Sequence, residues 1–517
     1  MKQIREKLNH LCKGVCVITL CCIISFASIA PDVFYAAQVT EYNTSYYEKN
    51  NFSICIQGTN LLLNGVPEYL SNQYLWIQIY SKSSGSIIGE TNVLGSSLPA
   101  TISLSGAADG EYLFYLYYGA QRYGTYNGYW WDEGAPLLKK SGSTVTIELP
   151  SGYEQMVSYQ ESALTSDGVL EYYLQPSYWV NSEDATIRKQ ALAITSGCKT
   201  DYDKLLAIHD WVTENIYYDY DGLYGRSDYV VDATEVLSAK RSVCQGYADL
   251  TAALLRSIGI PAKVVSGYAG SPLTNALLTN STSNHAWNEA YVDGRWIMLD
   301  TTWDSGNRYE NGAYQKGSTH RMFFDPTAEI FSASHVVKSN EDQQALSYVA
   351  SQYLKSTKLS KGTIYVGGTK NKSTTIKIVD LSKLPQDVSY EVTYQSSDAS
   401  VATVSNKGVI TAKKAGRCTV YAYVKAGGST YTYSKEITVK APFVSITSKT
   451  ATLSVGKTFS CSAKAYGLKE SVVYTSSNPK VATINKSTGK ITAVAKGKTV
   501  ITASCNGYKK TFTLTVK

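Results

Sequence analysis

The strongest constraint on the fold is an internal repeat in the last third of the chain. Residues 396–404 (SSDASVATV) match residues 476–484 (SSNPKVATI) at an offset of 80 residues. Each copy continues into an Ile-Thr-Ala segment and then a Gly-x-x-x-Val or Gly-x-x-x-Ile segment with strand-like alternation. The repeat indicates two copies of one small β-domain, at residues 360–440 and 443–517. Because 517 residues exceed what a single core can organise, three to five domains are expected in all.

Charge is distributed unevenly along the chain. From Lys361 onward there are 24 Lys and Arg against 6 Asp and Glu, a balance of +18, whereas the whole chain carries +7, so the part before Lys361 carries 7 − 18 = −11. A basic β-rich tail suits a polyanionic partner such as anionic cell-wall polymers, and it equally suits a solvated surface that keeps an extended protein soluble. Nucleic acid is not expected, because the lysines follow no helical or aromatic register.

The first 37 residues have the pattern of a secretory signal peptide. Four basic residues precede an apolar stretch at residues 15–30, and small residues at Ala30 or Ala36-Ala37 offer cleavage points. An uncleaved anchor is the alternative, although the apolar run is short for one. No other stretch is long and apolar enough to span a bilayer. We therefore expect a secreted protein retained at the bacterial cell surface, with no transmembrane segment after cleavage.

Residues 38–150 alternate apolar and polar residues between Gly, Ser and Asn turns, which predicts a β-sandwich-like domain. Aromatic residues are dense at 112–118 and 123–131. Exposed rings there could bind sugars or a peptide. Structural tyrosines in strands are the more frequent explanation and the one that we favour.

Cys244 lies at the predicted start of a helix over residues 244–258. Ser242 and Gln245 have the S-x-x-Q spacing of a capping box, and Gly259 marks the helix end. The N–H groups of a first helical turn favour an anion, so a thiol pKa there can fall several units below about 8.5. The same groups can form part of an oxyanion hole. The alternative is a small buried hydrophobic side chain, which describes most free cysteines.

A histidine and an aspartate lie on a predicted hairpin downstream. Strand-like runs at 284–292 and 295–303 flank an Asp-Gly pair at 293–294, a strong two-residue turn signal. In that register His285 and Asp300 project from the same face as diagonal neighbours, about 7–8 Å apart at the backbone. A carboxylate there can fix the imidazole tautomer and leave the other ring nitrogen for a thiol. A half-buried structural histidine is the alternative.

Residues of about 180–335 resemble a bacterial transglutaminase-like domain of the papain-like cysteine enzyme superfamily. The resemblance is carried by residues 205–212, 217–220, 243–248, 259–262, 285–288 and 299–304. It implies that Cys244 is the nucleophile, His285 the general base and Asp300 the residue that orients the base. The polar stretch 271–283 departs from the family pattern and is interpreted as a mobile loop over the site.

The two tail repeats resemble the bacterial immunoglobulin-like group 2 domain. This resemblance implies a spacer or adhesive module without catalytic residues. The expected fold is therefore multidomain. An α+β papain-like, transglutaminase-like catalytic domain at residues 151–345 is flanked by the N-terminal β-sandwich-like domain and the two C-terminal Ig-like sandwiches.

The remaining candidate groups predict no metal and no cofactor. Six cysteines lie beyond the leader and show no C-x-x-C pairing: Cys55, Cys198, Cys244, Cys418, Cys461 and Cys505. A disulfide between Cys461 and Cys505 is left open. His209 falls off the apolar face of a predicted helix at 200–217, so a structural role is expected.

Two functions fit these observations. The first is an exported thiol enzyme that acts on amide bonds of a protein or peptide substrate through Cys244, His285 and Asp300, with a thioester intermediate resolved by water or by an amine. The second is a non-catalytic surface adhesin or cell-wall-binding protein whose enzyme-like domain only binds.

Overall fold

A computed structural model describes residues 38–130, 136–270, 273, 275–354 and 357–517. The predicted leader, residues 1–37, lies outside the described residues. Within the described ranges, no helix is both long enough and apolar enough to cross a membrane.

The N-terminal region consists of two antiparallel sheets. The larger sheet contains Gln38–Val39, Tyr74–Ser81, Ile87–Leu94, Gly110–Gly119, Asn127–Trp130, Leu137–Ser141 and Thr144–Glu148. The smaller sheet contains Glu41–Asn43, Ser53–Gln57, Asn60–Asn64 and Ala100–Ser103. Phe52 packs on Phe114 across the two sheets, with ring centroids 6.1 Å apart. The alternating strands therefore bury one side of each sheet, as the sequence pattern predicts.

The middle region contains nearly all the helices. They are Tyr153–Glu161, Asp167–Tyr172, Ala185–Ile194, Asp201–Asn215, Tyr220–Leu223, Ala233–Ala239, Cys244–Ser257, Asn275–Thr279, Ala328–Phe331 and Asp342–Tyr353. Helix Asp201–Asn215 begins with a true capping box, in which Thr200 and Asp203 bond each other's backbone N–H groups. Helix Cys244–Ser257, called the central helix below, is buried along almost its whole length from Gly246. The predicted helix at 244–258 is thus confirmed.

A four-stranded antiparallel sheet packs against the central helix. Its strands, in spatial order, are Arg295–Leu299, His285–Val292, Ala262–Ala269 and His335–Ser339. Val292 pairs with Arg295, as predicted, because Asp293 and Gly294 both adopt positive φ and make a two-residue turn. The second hairpin strand ends at Leu299, four residues earlier than predicted, because the Asp300 N–H bonds Phe323 O instead of continuing the ladder. A smaller sheet joins Arg241–Ser242, Tyr217–Asp219, Arg308–Glu310 and Ala313–Gln315.

Two Ig-like sandwiches follow. The first contains Thr357–Leu359, Thr363–Tyr365, Ser373–Ile378, Tyr390–Ser396, Ala402–Val404, Val409–Ala412, Gly416–Ala426 and Ser429–Lys440. The second contains Phe443–Ser448, Thr452–Leu453, Thr458–Ser460, Ser462–Tyr466, Val473–Ser476, Ala482–Ile484, Lys490–Ala493, Gly497–Cys505 and Tyr508–Val516. Cys461 and Cys505 are buried free thiols in this second core, so the disulfide that the sequence left open is not formed.

The first sandwich shares a hydrophobic core with the middle region. One buried cluster contains Ile376 and Val424 of the sandwich together with Val349 of helix Asp342–Tyr353. Val169 of helix Asp167–Tyr172 and Tyr173, which follows that helix, belong to the same cluster. Expected boundaries at 345 and 360 therefore separate segments that bury one another's apolar surface.

Candidate active site

Cys244 is the first residue of the central helix, and Val243 is its N-cap. No side chain caps this helix end, so the predicted capping box is wrong. Ser242 instead donates its hydroxyl to Val230 O, and Gln245 turns toward Asp249, with its amide nitrogen 3.0 Å from each carboxylate oxygen. The uncapped N–H groups beside Cys244 leave the positive end of the helix available to an anion.

His285 and Asp300 are hydrogen-bonded. The His285 Nε2 lies 2.6 Å from Asp300 Oδ2, with the histidine side chain 7% exposed and the carboxylate fully buried. The hairpin register brings this about, since His285 opens one strand and Asp300 follows the end of its partner. With Nε2 held by Asp300, Nδ1 is the ring nitrogen available to a thiol.

Asp300 accepts four hydrogen bonds. Its Oδ1 accepts from the N–H groups of Thr302 at 2.9 Å and Trp303 at 3.1 Å, while Oδ2 faces Nε2 of both His285 and His335. Burial alone raises the pKa of this carboxyl, but the charge and hydrogen bonds of the two histidines outweigh burial and lower it. The carboxylate therefore stays ionised throughout the neutral range.

The protonated form of His285 is stabilised by its neighbours. Burial lowers the pKa of the imidazole, but the charge and hydrogen bond of Asp300, followed by the hydrogen bond and charge of Cys244, raise it to about 10. Cys244 thus lies beside a cationic imidazole, the kind of surrounding in which reactive cysteines are found. The arrangement has the chemistry of a nucleophile, a proton carrier and an orienting carboxylate. The catalytic roles of Cys244, His285 and Asp300 themselves stay a prediction.

Sequence reasoning missed His335. It begins the strand His335–Ser339, opposite Ala269, and its Nε2 lies 3.1 Å from Asp300 Oδ2. No sequence spacing connects it with Asp300, because the pairing depends on a strand that returns after an intervening helix. The two valines at 336–337 were the one feature of the sequence that could have indicated a buried strand beginning at His335.

The two histidines and Asp300 could also be mistaken for a metal site. One ring nitrogen of each histidine and a carboxylate oxygen lie within 4.8 Å of one another, a donor set with the chemistry of a zinc site. The nitrogens that face Asp300 are already hydrogen-bonded to it, which explains their proximity without an ion.

A cavity of about 320 Å³ opens beside His285. Its lining includes Tyr218, Tyr220, Leu223, Trp303 and the exposed Arg308. Arg308 pairs with Tyr218 in the small sheet, and its guanidinium lies 5.9 Å from the ring centre of Tyr220. This volume is at the lower end of ligand pockets and suits one side chain or a short peptide segment.

His209 is buried, contrary to the expectation that it falls off the apolar face. Its Nε2 lies 2.9 Å from Asp304 Oδ2 and its Nδ1 lies 3.1 Å from Asp210 Oδ1. Burial lowers the pKa of this histidine, but the two carboxylates raise it to about 9. Because both ring nitrogens of His209 are bonded to carboxylates, this polar side chain can occupy a core position that apolar periodicity alone assigns to aliphatic residues.

The polar stretch 271–283 is only partly described. Residues Asn275–Thr279 form a short helix, and Lys338 donates to the carbonyl oxygens of Leu277 and Leu278 at 2.7 and 3.0 Å. Part of the expected loop is thus helical and bound to the strand that begins at His335. Its mobility stays a prediction.

Known proteins resemble separate parts of the chain. Residues 188–301 match the family model of the transglutaminase-like superfamily, and residues 369–433 and 437–516 match that of the bacterial Ig-like domain, group 2. The human kyphoscoliosis peptidase is 32% identical over 108 residues, which cover 21% of this chain and 16% of that protein. The protein-glutamine gamma-glutamyltransferase of Pseudomonas aeruginosa is 34% identical over 99 residues, or 18% of this chain and 14% of that protein.

The match thus spans a small part of those curated relatives. The periplasmic domain of TgpA from Pseudomonas aeruginosa is 15% identical, with 45% of this chain and 88% of that chain covered and a TM-score of 0.23. The chain contains a transglutaminase-like domain followed by two bacterial Ig-like domains.

Proposed function

We propose that this chain is an exported thiol enzyme that cleaves or exchanges amide bonds of a protein or peptide substrate through a Cys244 thioester. The observation that carries the proposal is the hydrogen bond between His285 and Asp300, with Cys244 beside the imidazole at the uncapped end of a buried helix and a cavity next to His285.

In the first half of the reaction, the Cys244 thiolate attacks the carbonyl carbon of a substrate amide. The oxygen of the tetrahedral intermediate becomes an anion, which the N–H groups of the first turn of the central helix can stabilise. His285 gives its Nδ1 proton to the leaving amine or ammonia, so the C–N bond breaks and a thioester remains. Asp300 holds the ring through Nε2 during this transfer.

In the second half, neutral His285 takes a proton from an incoming water or primary amine. The new nucleophile attacks the thioester carbonyl, the C–S bond breaks and the thiolate returns. Water gives a carboxylic acid, and an amine gives a new amide. Both outcomes share the acyl-enzyme, so the accessibility of the site to water and amines determines their ratio.

The cavity favours a peptide with an aromatic or aliphatic residue near the reacting amide. Tyr218, Tyr220 and Leu223 supply apolar contact, and the exposed Arg308 supplies one positive charge that can bind an acidic group. A peptide segment with an apolar residue near the reacting amide and an acidic group that reaches Arg308 is therefore the preferred substrate.

Trapping of the acyl-enzyme tests this function. Intact-mass spectrometry after mixing with glutamine-containing peptides should show a covalent adduct on the wild-type protein and on Cys198→Ala, but none on Cys244→Ala. Cys198 is a suitable control because it is a partly exposed free thiol outside the site. An adduct or continued turnover in Cys244→Ala would contradict the assignment. Adding a primary amine then distinguishes transfer from hydrolysis by the mass of the product.

A binding role for the tail is a second candidate, favoured by its charge of +18 from Lys361 onward. In this proposal the Ig-like domains retain the secreted protein on anionic cell-wall polymers. The full chain should sediment with purified walls at low salt, and a chain that ends at Pro442 should sediment less. Sedimentation should weaken at high salt, since exposed charges are screened. Failure to sediment at low salt would exclude it.

A further inference from the structure

His335 is a second histidine on the carboxylate of the candidate triad. Its Nε2 is 3.1 Å from Asp300 Oδ2, and its Nδ1 is 2.9 Å from the Ser334 hydroxyl. An ionised carboxylate only accepts hydrogen bonds, so Nε2 must carry a proton. Nδ1 can then accept from the Ser334 hydroxyl, which fixes the neutral tautomer.

The surroundings of His335 keep it neutral and in place. Its ring stacks on Phe331 at 4.1 Å between centroids, with Trp303 at 4.7 Å, Phe323 at 5.1 Å and Trp287 at 5.2 Å. Burial in this aromatic box lowers its pKa, and the positive charge of nearby His285 lowers it further; together they outweigh Asp300 and the backbone of Phe331, which raise it. The titratable side chains that face His335 among the described contacts are Asp300 and His285.

The two histidines use one oxygen of Asp300 differently. His285 faces the cavity and lies close enough to Cys244 for the thiol to influence its pKa, whereas His335 is 1% exposed and has no described contact with Cys244. His335 can therefore act on the reaction only through Asp300. Two N–H donors share one oxygen, so each weakens the hydrogen bond of the other, and the positive end of the His335 N–H dipole points at the oxygen that His285 also binds.

We propose that His335 is a positioning residue which, as a permanently neutral N–H donor, fixes the Asp300 carboxylate and weakens its hold on the proton of His285. The catalytic benefit of this effect rests on the proposed function. A base that must receive and return a proton in each cycle works best when its affinity for that proton is matched to the operating pH, and Asp300 alone would hold the proton too firmly.

The size of the effect follows from ordinary hydrogen-bond energies. A hydrogen bond to a charged group is strong enough to move the pKa of a neighbouring group by a unit or more. Since sharing an acceptor weakens one bond only in part, removal of the His335 donor should raise the pKa of His285 by about one unit.

Nitrogen-15 NMR of histidine-labelled protein tests the proposal without any substrate. In the wild type, His335 should remain neutral with the proton on Nε2 from pH 5 to 9. His335→Phe keeps an aromatic ring in the box but removes the donor, so the His285 titration should move upward by about one unit. His335→Gln keeps an N–H donor within reach and should shift the His285 titration by less than half as much. His209, which is bound to other carboxylates, should titrate unchanged in all three proteins.

Two results would overturn the proposal. One is a His335 that titrates in that range or carries its proton on Nδ1, which the wild-type spectrum alone reveals even if a variant fails to fold. The other is an unchanged His285 titration in folded His335→Phe. An inactive wild-type protein would contradict the proposed function, whereas the coupling between the two histidines would still be measurable.

Discussion

Asp300 determines the protonation of the candidate site, because both histidines bind one of its oxygens and two backbone N–H groups bind the other. Asp300→Asn keeps the shape and removes the charge. The pKa of His285 should then fall well below about 10, since Cys244 alone opposes the effect of burial. We expect acyl-enzyme formation at neutral pH to slow by about 10³–10⁴-fold, as measured by single-turnover mass spectrometry.

Asp304→Asn is the matched control for that substitution. Asp304 is also fully buried and also binds two histidines, His209 and His320. Its loss should reduce the free energy of unfolding without slowing acylation in the protein that remains folded. Equal slowing by both variants would show that the effect of Asp300 is one of stability alone.

The buried carboxyl of Asp249 should make the free energy of unfolding depend on pH. Burial raises the pKa of this carboxyl to about 7, although the Gln245 amide lowers it. Because the folded-state pKa exceeds the unfolded value, the protonated acid favours folding at low pH, and that contribution is lost as pH rises from about 4 to 7. Relative to the wild type, Asp249→Asn should therefore gain up to about 4 kcal/mol of unfolding free energy between pH 4 and pH 8.

Urea titrations of both proteins at those two pH values measure this difference. A stability difference that does not change with pH would contradict it.

At the residue scale, the sequence could place His285 beside Asp300 because a two-residue turn sets a hairpin register. It could not reveal His335, whose approach to Asp300 depends on the packing of a strand 35 residues away. The capping box predicted at Ser242 is wrong for a similar reason, because the Ser242 hydroxyl donates to Val230 O, a partner outside the local sequence pattern.

At the scale of elements, the central helix requires glycine at its third residue. A Cβ on Gly246 would lie 2.1 Å from Ser242 Oγ and 2.8 Å from Val236 Cγ2, distances that force the preceding strand or the neighbouring helix to shift. Gly246→Ala should destabilise the protein by about 1–3 kcal/mol, as overpacked cores do. It should also disturb Cys244, two residues away.

Gly197→Ala is the control, because a Cβ there meets no atom within 4 Å and the backbone φ is ordinary. Chemical denaturation should show little change for that variant. If Gly246→Ala were equally well tolerated, the close packing of the helix start on Ser242 would be contradicted.

The periodicity of the sequence predicted long helices such as Asp201–Asn215 and Cys244–Ser257, although the capping box predicted at the start of the second is wrong. It predicted the ends of helices and strands less well. The strand after the Asp293 turn stops at Leu299 because the backbone of Asp300 binds Phe323, a partner that local pattern does not reveal.

At the scale of the whole molecule, the two Ig-like domains differ in their relation to the transglutaminase-like domain. The first shares its buried cluster with helix Asp342–Tyr353, and Tyr431 donates to Ser347 O at 3.0 Å. The second has a separate core and meets the first through contacts such as the Thr369 N–H on Gly467 O at 3.0 Å. Sequence repeats identify such domains but not which of them bury surface against a neighbour.

Truncation distinguishes these relations. A chain that ends at Pro442 should retain the thermal midpoint of the transglutaminase-like domain within a few degrees. A chain that ends at Leu354 exposes the apolar cluster around Tyr173 and Val349, so its midpoint should fall by about 4 °C or more, or the protein should aggregate. Calorimetry of both chains measures this, and identical midpoints would contradict the shared core.

The proposed function requires that Cys244 reacts as a thiolate beside the His285 cation. Its most direct test is the rate of iodoacetamide labelling followed by intact mass across about pH 4 to 9, a range that includes depressed and ordinary thiol pKa values, in the wild type and in His285→Ala. If Cys244 is the nucleophile, iodoacetamide should label it fast at a pH well below the ordinary thiol pKa in the wild type. This fast labelling should be absent in His285→Ala. Slow labelling with an ordinary thiol profile in both proteins would contradict it.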